Sequence, residues 1–143
     1  MRSSFVIFPS RNLIYVRHHG YSTAAEVLDC LDAIHCHRDF NFGQNFLSDC
    51  SGIVEYERDP FTILETQLVI ADRFDPALPQ TVQCLYATDG PGRDLVIRIA
   101  RSWSVVSHVK TRLAETEEQA LSILGQHETT FAAFFESAQP KIA

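Results

Sequence analysis

The chain has 143 residues, about one domain's worth, and at that length folding buries roughly 68–70% of the surface that the open chain exposes. Hydrophobic residues make up 45% and charged residues 21%, which excludes a disordered or collagen-like chain. A formal net charge of −6 argues against a general nucleic-acid binder, which needs a basic face to meet phosphates.

The opening stretch, Met1 to Pro9, holds one charge and an apolar run of only four residues, too short for a signal-peptide core. No apolar run reaches the ~18 residues of a membrane span, so the expectation is a cytoplasmic chain without a transmembrane segment. Residues 5–8 are predicted as a strand, Pro9-Ser10-Arg11 as a break, and residues 12–18 as a second strand. Leu13 and Tyr15 point one way and Ile14 and Val16 the other, which suits a central strand covered on both faces. Thr23 and Glu26 form a capping-box pair, and Val27, Leu28, Leu31 and Ile34 continue as a helix to about His37. Residues 45–49 read as a short strand. Asp59-Pro60 is an N-cap and first-turn pair, followed by Phe61, Leu64, Leu68 and Ala71 as an expected buried stripe. Residues 81–87 form the next strand, Asp89-Gly90-Pro91-Gly92 a turn, and Leu95, Val96, Ile99, Ala100 and Trp103 one face of a third helix. Residues 109–113 alternate as an edge strand. Thr116 to Gln119 is a second capping box, with Ala120, Leu121 and Leu124 behind it and Gly125 as the stop. A last helix, about 128–137, places Phe131, Phe134 and Phe135 on one side. The expected fold is one α/β domain over residues 1–143, ordered ββαβαβαβα. Its mixed, mostly parallel sheet has about five strands, right-handed crossovers and an antiparallel first hairpin.

Cys30, Cys36, Cys50 and Cys84 lack metal-type spacing and are expected as reduced thiols, with Cys30 and Cys84 packed as small hydrophobes. His35 and His37 do not face each other on a helix, and His18 and His19 point to opposite sides of a strand, so neither pair makes a metal site. No cofactor is expected. Residues 93–112 carry Arg93, Arg98, Arg101, Lys110 and Arg112 against the single acid Asp94. That patch suits either an anionic ligand or pairing with the acidic remainder of the molecule.

In open α/β sheets, ligands gather beyond the carboxyl ends of the parallel strands. In this layout that rim collects His18 to Tyr21, the stretch from 49 to 59 and the stretch from 88 to 93. The candidate binding residues are Asp49, Ser51, Tyr56, Glu57, Arg58 and Asp59 from the middle segment, Thr62 just beyond it, and Asp89, Gly90, Gly92 and Arg93 from the third. Free N–H groups at the start of the third helix, with Arg93 beside them, favour a phosphate or carboxylate. No catalytic residue is assigned.

The element order is carried by Gly20 closing the second strand, Asp49-Cys50-Ser51-Gly52-Ile53 after the third and Gly90-Pro91-Gly92 before the third helix. Over about residues 5–124 it resembles the STAS, or SpoIIAA-like, fold of anti-sigma-factor antagonists. The resemblance implies a non-enzymatic regulatory or binding module that acts through the loop rim. In that family the next helix opens on Asp-Ser-Ser-Gly with the phosphorylated serine. Here the place reads Glu57-Arg58-Asp59-Pro60, which leaves Ser51 and Thr62 as the nearest hydroxyls. The wider fold group resembles lipid-associated CRAL-TRIO domains, which implies an alternative: a carrier of a small hydrophobic molecule or lipid, with the phenylalanine-rich tail as its lid. A third option is a hydrolase or redox enzyme using Cys36 and His35. The expected partner is a protein, or a small anionic or hydrophobic ligand, with a homodimer as one form of the protein partner.

Overall fold

Proline has no N–H to give a ladder, so β1 (Ser3–Phe8) stops where Pro9 starts a single 3-10 turn over Pro9–Arg11. Asn12 then adopts the left-handed conformation at φ +53°, reversing the chain into β2 (Leu13–Ser22). The two strands pair antiparallel from Phe8↔Leu13 to Ser3↔His18. The computed structural model describes residues 3–74, 76–103 and 109–139. Along it follow α1 (Ala24–His35), β3 (Asn45–Tyr56), α2 (Pro60–Ala71), β4 (Thr81–Tyr86), α3 (Gly90–Trp103), β5 (Val109–Ala114), α4 (Glu117–Ile123) and α5 (Phe131–Ala138).

The five strands lie in the order β1-β2-β3-β4-β5, with every pair after the first hairpin parallel. The expected α/β architecture is therefore the observed one. Because each parallel strand adds on the same side of the last, α1, α2 and α3 all cross one face of the sheet. On that face Ile7, Ile14, Val16 and Phe46 pack against Cys30, Leu31 and Ile34 of α1. The opposite face belongs to the last two helices. There Tyr15 meets Phe135 at 4.8 Å, Tyr86 meets Phe131 at 5.0 Å and Phe8 meets Phe134 at 5.1 Å between ring centroids. Phe131 and Phe134 are buried, so the aromatic tail closes this half of the core.

The caps read from the sequence are made: Thr23 and Thr116 each accept from a backbone N–H three residues on, and Asp59 accepts from Phe61 N–H. Thr130, not marked in the sequence, caps α5 in the same way. Gly125, at φ +75°, ends α4, and Gln126 N–H returns to the Leu121 carbonyl at 2.9 Å. Three details differ. First, α1 ends at His35 rather than His37, because Cys36 caps it and the His35 ring stacks on Phe40 at 4.6 Å. Second, β2 and β3 both run on, to Ser22 rather than 18 and to Tyr56 rather than 49; they pair with each other as far as Ser22↔Tyr56, whereas β3 pairs with β4 only from Phe46↔Gln83 to Asp49↔Tyr86. Third, the stripe expected to be buried on α2 faces out: Phe61 is 75% exposed, Leu64 42% and Leu68 49%, and only Ala71 of that set is buried. Between α1 and α3, with which it packs, α2 turns inward Ile63, Thr66, Gln67, Ile70 and Ala71, and its two isoleucines meet the core clusters of the sheet.

One ion pair ties the first turn to the last. Arg11 donates to both oxygens of Glu128, at 3.0 and 2.7 Å, and to Gln126 Oε1 at 2.9 Å. The guanidinium holds the Glu128 carboxyl down to about 2, mainly through these hydrogen bonds. On the far side of the sheet, burial holds the His18 imidazole down to about 4. In both cases the unfolded chain takes the proton first, so stability falls with falling pH. The urea midpoint should drop in two stages, between about pH 6.5 and 4 for His18 and then below about 4.5 toward 2 for Glu128. Glu128→Gln should flatten the lower stage and lower the midpoint at neutral pH.

Candidate functional site

The rim at the carboxyl ends of the parallel strands is assembled by one close backbone approach. A Cβ placed on Gly92 would lie 2.1 Å from the carbonyl oxygen of Cys50, so only glycine lets the first turn of α3 rest on β3. Gly90-Pro91-Gly92 is thus the first turn of that helix, with Gly90 at φ +65°, and not a separate turn before it. The contact brings the segments 49–59 and 88–93 onto one lip, as expected from the strand order. Strand order never reverses across this sheet, so the lip has no crevice of the doubly wound kind.

Tyr56, Arg58 and Asp94 form the centre of the lip. Tyr56 is buried, and its hydroxyl donates to the Asp94 carboxylate. Arg58 lies over the Tyr56 ring at 4.6 Å and reaches Glu55 at 3.0 Å and Asp94 at 3.3 Å. Arg98 also meets Asp94, at 3.3 Å. The tyrosine and both arginines hold the Asp94 carboxyl below its ordinary range, the tyrosine hydrogen bond contributing most. The sequence marks Asp94 and Arg98 only as members of the charged stretch 93–112 and not as part of the rim, because they sit inside α3, four residues apart, where a helical ion pair is ordinary.

The other expected residues have mostly structural duties. Glu57 accepts from Ala24 N–H at 2.7 Å and so caps α1 from across the rim. Asp59 caps α2, and Thr62 gives its carbonyl to the Thr66 hydroxyl at 2.7 Å. Asp89 gives its backbone carbonyl to Arg93 N–H at 3.3 Å. Arg93 turns away to Glu115 at 2.9 Å. Of the five basic residues in the stretch 93–112, Arg93 and Arg98 are each paired to an acid, and an anion taken by Arg93 at this helix start would have to displace Glu115. Asp49 is buried, points toward the α4–α5 side, and accepts from Tyr15 O–H, from Ser51 N–H at 3.0 Å and from Ser51 Oγ at 2.6 Å. Burial, reinforced by Asp49, raises the Tyr15 phenol far above its ordinary range, so it remains a donor.

Burial pushes the Cys30 thiol up to about 11 and those of Cys50 and Cys84 to about 12, so none of these three is a thiolate at neutral pH. Cys36 is exposed. Among the described residues no group of three His, Cys, Asp or Glu side chains is placed to hold a metal ion.

A cavity of about 70 Å³ lies between the sheet and the helices α1 and α2, extending to Trp103 at the end of α3. A second, of about 60 Å³, lies between α1, α2 and α3, beside Tyr56, Thr66 and Gln67. Neither is beneath α5, where the carrier reading placed one. That space is filled by Phe131 and Phe134. No family model matches this chain, and no curated protein matches it.

Gly92→Ala should cost about 1–3 kcal/mol or more by chemical denaturation, because the new methyl meets a backbone carbonyl that cannot move alone. Gly90→Ala, strained in φ but with open space around it, should cost about 1–2 kcal/mol. Tyr15→Phe should cost about 1–3 kcal/mol by removing a donor from the buried Asp49.

Proposed function

We propose that this chain is a non-enzymatic binding module of the STAS kind, whose partner is a protein held by the outward face of α2 and the rim charges at its start. The carrying observation is the outward apolar stripe of that helix: Phe61, Leu64 and Leu68 are exposed, although Ile63, Thr66, Gln67, Ile70 and Ala71 already supply its inner face. Single exposed apolar side chains are ordinary on any protein. Three of them at helical spacing on one face are the anchors a groove in another protein receives. Arg58 and Asp59 stand at the head of this face and supply the polar border that such interfaces carry.

The mixed sheet with its leading antiparallel hairpin supports the STAS resemblance. Because 57–60 holds no hydroxyl, the reading includes binding and leaves out a phosphorylation step at that place. The carrier alternative gains nothing from α5, whose phenylalanines are part of the packed core.

A photo-crosslinking residue at position 61 should give one dominant adduct in cell extract, identified by mass spectrometry, and the same residue at Leu78, exposed but off α2, should not. Leu68→Asp should leave the melting temperature unchanged and weaken that capture about tenfold or more. An adduct with a second copy of the chain makes the partner a homodimer. Equal labelling at 61 and 78 would refute the assignment.

A further inference from the structure

From β2 to β5, the sheet face beneath the crossover helices carries a row of side chains in register: Ile14, Phe46, Gln83 and Thr111. The first two are apolar and buried. The last two are polar, and Gln83 Oε1 and Thr111 Oγ1 are buried without a hydrogen-bond partner among the described residues. Trp103, 3% exposed at the end of α3, has its indole Nε1–H in the same condition. A buried acceptor and a buried donor without partners are unusual singly. Here Gln83 and Trp103 line the same cavity, the one of about 70 Å³, whose remaining wall includes Val16, Val27, Leu31 and Ile34.

We propose that this cavity is a binding site for a small neutral molecule bearing a primary-amide-like group on a short apolar body. Its N–H would be received by Gln83 Oε1 and its oxygen by Trp103 Nε1–H, with the apolar part against the valine, leucine and isoleucine side chains. The volume equals that of about two water molecules in the liquid, enough for the polar end of such a molecule, and the cavity opens to solvent. Among the described residues no Lys, Arg, Asp or Glu lines it, so a charged ligand would be desolvated without compensation from them. His18, the imidazole among the described lining residues, hydrogen-bonds Ser3 Oγ at 2.8 Å. A few convergent polar groups in an apolar recess are the usual make-up of a small-molecule site. This site lies beneath α2 and is independent of the outward face of that helix.

Trp103 is the chain's single tryptophan, so its indole N–H gives one cross-peak in a proton–nitrogen spectrum of the intact protein. Propanamide and butanone have equal numbers of non-hydrogen atoms, a methyl replacing the NH₂ group. Propanamide should move the indole peak saturably and bind at least about tenfold more tightly than butanone, which cannot donate to Gln83. Gln83→Leu should abolish that preference and melt no lower than the native protein, because it removes an unpaired buried acceptor. Equal affinity for the two probes, or shifts that never saturate, would overturn the site and leave a pocket for solvent only. A Gln83→Leu protein that melts lower, with an unaltered probe response, would do the same. If Gln83→Leu fails to fold, the amide-over-ketone preference of the native protein decides the matter alone.

Discussion

A strand order that never reverses sends all three crossover helices to one face of the sheet. At 8–10 Å between axes three helices span about 16–20 Å, close to the roughly 19 Å of five strands at about 4.8 Å spacing, so they fit side by side. Between the other two lies α2, packed against both α1 and α3. Its apolar stripe is the side turned away from those contacts, and both cavities lie on its inner side.

The inner face of that helix mixes apolar and polar residues, Ile63 and Ile70 packing against the core beside Thr66, Gln67 and Ala71. Thr66 bonds to its own helix through the Thr62 carbonyl, so it can be buried without a partner from the sheet. Ile70 lines the lower cavity together with Gln83 and Ser48. In the sequence, the spacing of Phe61, Leu64 and Leu68 identifies a coherent helical face. Periodicity gives the face and not what lies against it, and here the described residues leave that face exposed.

The fold was legible because its local signals agreed with its global order. Thr23, Asp59, Thr116 and Gly125 each mark a helix end by side-chain chemistry or left-handed backbone, and each does so in the structure. The two-faced burial of β2 followed from apolar residues at both parities. The extension of β3 past Asp49 was not legible. Ser51, Gly52 and Glu55 read as a loop, and the strand persists there because β2 pairs with it on one side and α3 packs against its outer half. At the rim, Tyr56 and Arg58 were found as members of a polar run, whereas Asp94 and Arg98 were marked only as members of the charged stretch 93–112. Gln83 carried a weak mark of its own, an amide on the inward side of a strand between Thr81 and Leu85, the kind of local inconsistency that functional positions produce.

The two outermost strands are unequal neighbours for another chain. Lys110 and Arg112 stand exposed along β5, and Arg112 folds its guanidinium onto the Thr111 carbonyl at 3.0 Å. A sixth strand arriving there would have to desolvate two cations and evict one of them from a backbone acceptor. Growth of the sheet by strand addition is thereby discouraged on that side, and β1, which carries no Lys, Arg, Asp or Glu, lacks this protection.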